Sequence, residues 1–371
     1  MRGHIRFSPR SAYRLMRFLS SKTPRSPFYF LLAACCLVFW VWVATSATQV
    51  RLPNAEGATE FYCRQCRDDV RATLIQAIGR AQKSVQLIIF SLTDRQVIEA
   101  LNERARAGVP VRVIFDRKHN PKLKRQMDSS VQLVGQTPEG LMHRKILVID
   151  EAEVWVGSAN FTGESLALHD NLLLSLSSPP LARWIASHYD DPPNSEGSCS
   201  GQVGGQEIEF WLLPEEESAL NRLTGMIQSA QKSVRVAMFT FTHPALVNAL
   251  TEAHQRGLDV QVIVDRSSGH GVSGWAIERL SHKGVPTALS QGPGLCHHKL
   301  LILDETILVT GSANWTRSAF DKNQDCIVVL RSLTPPQQDL LARLWRELVI
   351  DVDWSYHEDS TAGIRQNGTG G

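Results

Sequence analysis

The chain is written twice. The eighteen residues HRKILVIDEAEVWVGSAN, beginning at His143, return as HHKLLILDETILVTGSAN, beginning at His297. Upstream, AQKSVQLIIFSLTDRQVIEALNERARAGVPVRVIFDR (81–117) matches AQKSVRVAMFTFTHPALVNALTEAHQRGLDVQVIVDR (230–266). The upstream blocks are offset by 149 residues and the histidine blocks by 154, so five extra residues enter the second copy between them. A period near 150 residues is the size of a domain, not of a solenoid unit, so the chain is built from two equivalent halves.

Each half reads as alternating helix and strand. A helical pattern ends near Lys83 or Lys232, and a buried apolar run follows. Next come an amphipathic helix closed by Gly108 or Gly257 and an apolar strand ending in Asp-Arg. The repeated motif then supplies two strands, 146–149 and 154–156 in the first copy, joined by an acidic turn. The predicted fold is α/β: two α/β/α repeats with mixed sheets, related by a pseudo-twofold axis. The first repeat spans 60–180 and the second 207–350. A Pro, Gly and Ser-rich linker is expected over 181–206, a closing helix at PPQQDLLARLWRELVIDVDW, and a disordered tail over 360–371.

Side chains two apart on a strand share a face, so His143 projects with Lys145 and His297 with Lys299. Ser158 and Asn160 pair in the same way, as do Ser312 and Asn314. About a pseudo-twofold axis these residues converge into a cationic, donor-rich cluster with no carboxylate cage for a metal, and its natural ligand is a phosphate. Cleaving a phosphodiester needs an attacking group on one side of phosphorus and a proton donor on the other. Two facing histidines supply both, with the lysines and asparagines holding the nonbridging oxygens. One copy is half a machine, which explains the repetition.

HRKILVID…GSAN and HHKLLILD…GSANWT fit the H-x-K-x4-D signature of the phospholipase D superfamily, present twice, and the resemblance covers roughly residues 60–350. The second repeat resembles the branch holding the mitochondrial cardiolipin hydrolases and bacterial endonucleases. The resemblance implies metal-independent, cofactor-free phosphodiester cleavage through a phosphohistidine, with His143 as nucleophile and His297 as acid. It groups Asp150 and Asp304 with the catalytic residues, although their place at strand ends favours a structural role. It also implies a carboxylate that accepts a hydrogen bond from the histidine of its repeat: Asp325 stands at that position in the second. The first repeat departs from the pattern with Asn171 in register and Asp170 one residue earlier, leaving either as the partner of His143. His169, His254 and His298 have ordinary structural explanations.

The segment 28–47 holds twenty residues and no charge, long enough for a transmembrane anchor at about 1.5 Å per residue. Seven basic and no acidic side chains before it predict a cytoplasmic segment 1–27 and a catalytic body on the extracytoplasmic side. A cleaved signal or an organellar presequence are the alternatives. The net charge of +2 leaves −5 outside residues 1–50, which is not a broadly polybasic body. Of seven cysteines, Cys63 and Cys66 have the spacing of half a zinc knuckle or a redox pair. With no second such pair, a local disulfide or a link to Cys199 is the expectation.

The substrate is read as a phospholipid at a membrane surface, with Leu141, Met142 and Leu295 as an apolar rim for acyl chains. A nucleic-acid substrate is the alternative, since RKHNPKLKR (117–125) carries five cations before the first motif. Transfer to an alcohol instead of water is a third reading, and noncatalytic phosphate binding a fourth. One chain suffices for one site, so no oligomer is required.

Overall fold

The computed structural model describes residues 27–46, 48–53, 59–190, 197–350 and 352–353. It contains two compact units, residues 1–47 and 48–371. In the first, α1 (Pro27–Ser46) is a 20-residue helix without a charged side chain. Among the described residues no helix is long and apolar enough to cross a membrane. The helix of the expected anchor is present; the crossing is not demonstrated. Residues 1–26 and the tail 360–371 lie outside the described residues.

The first repeat runs β1 (Glu60–Tyr62), a 3-10 turn (Arg64–Cys66), α2 (Val70–Gly79), β2 (Val85–Ile89), α3 (Arg95–Arg106) and β3 (Val111–Asp116). It continues through β4 (Gln132–Gln136), β5 (Lys145–Ile149), β6 (Glu153–Gly157), α4 (Gly163–Ala167) and β7 (Leu173–Ser177). These strands form one sheet in the order β1-β7-β6-β5-β2-β3-β4. β2, β3 and β4 are parallel and the remaining neighbours antiparallel.

After α5 (Pro179–Asp190) and β8 (Ser198–Val203) the series repeats as β9 (Gln206–Leu213), α6 (Ala219–Ser229), β10 (Ser233–Met238), α7 (Pro244–Gln255) and β11 (Asp259–Val264). Then come α8 (Arg266–Gly269), α9 (Gly274–His282), β12 (Thr287–Ser290), β13 (Lys299–Leu303), β14 (Ile307–Gly311), α10 (Arg317–Asp321) and β15 (Asp325–Leu330). α11 (Pro335–Ile350) and β16 (Val352–Asp353) close it. The second sheet is β16-β12-β11-β10-β13-β14-β15-β9-β8, the first order with an added strand at each edge. The five extra residues fall between β11 and β12, where α8 and α9 stand in place of the 3-10 turn Leu123–Arg125.

Both central strands are buried on both faces, which is why their sequences are continuous apolar runs. Ile146 and Val148 face Leu300 and Ile302 in a core between the sheets, closed by Leu181 and Ile185 of α5 and Leu340 and Leu344 of α11. The alternate residues face outward. Leu147 and Ile149 pack under Leu74 and Leu101, and Leu301 and Leu303 under Leu223 and Leu250. The segment 181–206, expected as a linker, is mostly regular structure: α5 seals the shared core and β8 pairs with β9 at the sheet edge.

The glycine of each Gly-Ser-Ala-Asn has a steric reason. A Cβ on Gly157 would lie 2.1 Å from the Leu172 carbonyl oxygen, and one on Gly311 2.2 Å from that of Cys326. Only a residue without Cβ lets the strand after each acidic turn run this close to its neighbour.

Candidate active site

Each motif histidine precedes a central strand, and the backbone there is tied to the opposite repeat. The His143 N–H donates to Gln324 O at 2.8 Å, and the His297 N–H to Asp170 O at 2.9 Å. A carboxylate from the same repeat fixes the residue before each: Met142 N donates to Asp116 Oδ2 at 3.2 Å, Cys296 N to Asp265 Oδ2 at 2.9 Å. The Asp-Arg that ends β3 and β11 therefore positions the site, a role that sequence reading assigned only to strand termination.

The side-chain partners also cross. His143 Nδ1 lies 2.8 Å from Asp325 Oδ1, and His297 Nδ1 lies 3.0 Å from Asn171 Oδ1. This corrects the expectation that each histidine meets a partner of its own repeat. Neither Asp170 nor Asn171 orients His143; Asn171 serves His297, and Asp170 pairs with Arg64 at 2.8 Å. The Asn171 NH2 faces Ser165 O at 3.0 Å and the Ser165 hydroxyl at 3.3 Å, so its oxygen points to the imidazole. Both acceptors require the proton on Nδ1, leaving each Nε2 available.

Ser158 and Ser312 complete this layer. Ser158 Oγ donates to Asn171 Oδ1 at 2.8 Å and Ser312 Oγ to Asp325 Oδ1 at 2.6 Å, and both serines are fully buried. They orient the histidine partners. Asn314 Oδ1 accepts from Thr240 N at 3.3 Å, while Asn160 Oδ1 is buried without a partner among the described residues.

His143 and His297 are each 7% exposed, and Lys145 and Lys299 less. Lys145 Nζ donates to His143 O at 2.5 Å and sits 5.0 Å over Phe90; Lys299 Nζ donates to His297 O at 3.0 Å and sits 4.9 Å over Phe239. The same two rings pack on the histidines, with centroids 4.9 Å away in both cases. Phe90 and Phe239 were missed in the sequence, although their identical offset in the upstream blocks was a usable signal. His119, 4.2 Å from Phe90, and His169, 6.3 Å from His297, border the site as well.

Burial governs the charges. It pushes Lys145 down to about 7 and Lys299 well below the ordinary lysine range, the latter aided by Lys145. Burial and the neighbouring Lys145 hold His143 below its usual value despite Asp325. His297, with burial, Lys299, Lys145 and His143 against it and only an amide as partner, is pushed well below. Asp325 stays ionised: burial raises it, and His143, Lys145 and Ser312 overcome that. The pocket is thus short of negative charge and costly to hold cationic, and a phosphodiester anion relieves both conditions.

Asp150 and Asp304 are not part of this site. They stand at the far ends of β5 and β13 in left-handed turns with φ of 54° and 51°. Asp150 accepts from the backbone N–H groups of Gln82, Lys83 and Ser84, and Asp304 from those of Gln231, Lys232 and Ser233. Their motif role is to pin the turn after the preceding helix. Met142 is likewise no rim residue, being fully buried, while Leu141 and Leu295 are half-buried. No disulfide joins Cys63 to Cys66 or either of them to Cys199.

Arg144, overlooked between His143 and Lys145, is 1% exposed. It donates to Asp325 O at 3.1 Å, Tyr189 Oη at 2.8 Å, Leu213 O at 2.8 Å and Glu215 Oε2 at 2.6 Å. The position that faces away from the chemistry locks the two repeats together.

The comparisons agree with this geometry. The family model described as cardiolipin synthase, PLD-like domain, matches residues 74–191 and 223–347, well over half the chain. The mitochondrial cardiolipin hydrolase of Xenopus tropicalis is 36% identical over 137 residues, which cover 36% of this chain and 65% of that protein. The chain therefore spans just under two thirds of that relative's length. The major cardiolipin synthase ClsA of Bacillus subtilis is 24% identical over 330 residues, covering 77% of this chain and 68% of that one. The crystal structure of phosphatidylserine synthase from Haemophilus influenzae has the same fold, with a TM-score of 0.60 at 12% identity, covering 81% and 88% of the two chains. Duplicated motif, paired sheets and family match converge: the chain belongs to the phospholipase D-like family.

Proposed function

We propose that this protein is a membrane-anchored phosphodiesterase that hydrolyses phospholipids to phosphatidic acid and an alcohol through a phosphohistidine. The observation that carries the reading is the crossed pairing: two buried imidazoles, each committed through Nδ1 to a partner from the other repeat, beside two lysines whose charged form burial disfavours. His143, backed by the Asp325 carboxylate, is the better nucleophile, because a carboxylate stabilises the cation formed when Nε2 attacks phosphorus. His297, backed by a neutral amide, holds its proton less tightly and gives it to the leaving oxygen. Lys145, Lys299, Asn160 and Asn314 take up the nonbridging oxygens, and the anion returns the lysines to their charged form. Water activated by His297 then releases the phosphate from His143.

The lipid assignment is supported by what the similar proteins are named for, cardiolipin hydrolysis and synthesis. α1 adds to it, since Phe30, Leu31, Leu37, Phe39 and Trp40 are all more than half exposed, an apolar surface suited to a bilayer. Transfer to an alcohol follows the same steps with a different second acceptor. A nuclease is the second reading, favoured by one observation. Arg117, Lys118, Lys122, Lys124 and Arg125 are exposed on the loop whose His119 stacks on Phe90. The full chain in detergent with EDTA, offered phosphatidylcholine, cardiolipin and single-stranded DNA, separates the readings. Release of phosphatidic acid is expected, together with an acid-labile, base-stable phosphoenzyme that His143→Ala abolishes. Cleavage of DNA alone reverses the order of the substrates, and turnover without any phosphoenzyme removes the mechanism.

A further inference from the structure

The 3-10 turn Arg64–Cys66 carries two thiols that the reaction does not use. Cys63 caps the turn and is fully buried, while Cys66 is half-buried. The Cys66 N–H donates to Cys63 O at 3.0 Å, so the two Cα atoms stand within the reach of one turn, less than about 7 Å. That separation falls in the range a disulfide accepts.

Cys66 opens into a groove of about 620 Å³ between this turn and α11, lined by four arginines, Arg51, Arg67, Arg343 and Arg346, against two carboxylates, Asp68 and Glu347. Arg51 is paired with Asp68 at 2.8 Å, but Arg67, Arg343 and Arg346 are exposed and have no carboxylate partner among the described residues. A hydrogen bond with the Cys63 thiol holds Cys66 below the ordinary thiol range, with Arg343 and Arg51 acting in the same direction against burial. Burial pushes Cys63 up. One thiol is accessible and more easily ionised than an ordinary cysteine; its neighbour is sequestered and harder to ionise. These are the complementary properties of an attacking and a resolving cysteine.

We propose that Cys66 and Cys63 form a thiol–disulfide exchange site for a small disulfide carrying carboxylates, the class to which glutathione disulfide belongs, with the arginine groove receiving its acidic groups. The Cys66 thiolate attacks one sulfur of the small disulfide, and the S–S bond breaks to release one thiolate. Cys63 gives its proton to that leaving thiolate and attacks the Cys66 sulfur, releasing the second small molecule as a thiolate that takes a proton from water. The two protein thiols are oxidised to one disulfide while one small disulfide is reduced to two thiols.

The turn is connected to the phosphodiesterase site, and this consequence rests on the function proposed above. Arg64, inside the Cys-x-x-Cys, binds Asp170 at 2.8 Å, and the Asp170 carbonyl accepts the His297 N–H. Gln65 Nε2 lies 3.3 Å from His298 Nε2, directly beside His297. Closing the disulfide tightens the turn that seats both contacts, so oxidation loosens the mount of His297 and slows turnover.

The full chain in detergent is treated with glutathione disulfide at pH 7, quenched by alkylation, and mapped by mass spectrometry. Cys66 is expected to react at least 10-fold faster than the similarly half-buried Cys199. In the wild type the product is the Cys63–Cys66 disulfide, and in Cys63→Ala it stops at the mixed disulfide. Hydrolysis of bis(4-nitrophenyl) phosphate falls several-fold on oxidation and recovers with dithiothreitol, while Cys66→Ser is unaffected by either reagent. Equal rates at Cys66 and Cys199, or a mixed disulfide that persists in the wild type, overturns the exchange site. Disulfide formation with unchanged turnover overturns the coupling. Absence of phosphodiester cleavage in both redox states overturns the function and leaves the mapped disulfide standing.

Discussion

His143 and Asp325 share a 2.8 Å hydrogen bond across 182 residues of chain. The equivalent bond on the other side of the site, His297 to Asn171, ends on an amide. Pseudo-symmetry in the backbone is thus broken at one atom pair, a carboxylate on one side and an amide on the other, and in the proposed mechanism this difference divides the labour between the two imidazoles.

Asn171→Asp restores the symmetry. A carboxylate beside His297 stabilises its imidazolium, so its pKa rises from the depressed value that burial and the lysines impose. If His297 must be protonated to act, the limb of kcat/KM that falls with rising pH moves up by about 1 pH unit. A shift in the rising limb instead assigns the proton-donor role to His143.

Lys145→Met is expected to stabilise the empty protein while removing activity. The native lysine titrates near 7 and the unfolded one near its ordinary 10.5. Between those values the unfolded chain binds more protons, so stability rises with pH; below about 7 the full penalty of burying the ammonium is present. Methionine keeps the stem and drops the charge. At pH 7 the melting temperature should rise by about 2–6 °C, turnover should fall by at least about 100-fold, and the pH 7–10 increase in stability should flatten. A lower melting temperature would show that the ammonium earns its place in the empty protein.

Asp304→Ala removes three backbone acceptor contacts and touches no reacting atom. The expected loss is about 1–3 kcal/mol of stability, read by urea unfolding, with kcat unchanged where the variant is folded. The carboxylate of Asp304 is held below its ordinary range by these N–H groups although burial opposes them. Its contribution is therefore present at neutral pH and lost as pH falls through that lowered value. A kcat reduced 100-fold in folded Asp304→Ala would return this residue to the chemistry.

Arg144→Met should cost about 3 kcal/mol or more, because it strands the buried Asp325 and Leu213 carbonyls and takes the nearer cation from half-buried Glu215. Glu215→Gln in the same chain should recover part of that loss. Thermal unfolding of the two single variants and the double variant gives the coupling, and strict additivity would remove the proposed lock.

The sequence by itself determined the two-repeat architecture, the strand and helix order, and the meeting of His143, Lys145, His297 and Lys299. These follow from local rules. Period-two alternation puts His and Lys on one face, continuous apolar runs mark strands covered on both sides, and in-register repetition implies equivalent sheets. Tertiary structure alone decided which residue of one repeat faces which residue of the other. The pairing of His143 with Asp325, that of His297 with Asn171, and the reach of Arg144 to Glu215 depend on how the two sheets rotate about their shared core. Spacing along a chain carries no record of that rotation. The same limit applied to the signature aspartates, since a motif fixes residue type and position, whereas the far end of a five-residue strand lies about 13 Å from its start. Only packing shows that Asp150 and Asp304 pin turns there while Asp325 takes the place beside His143.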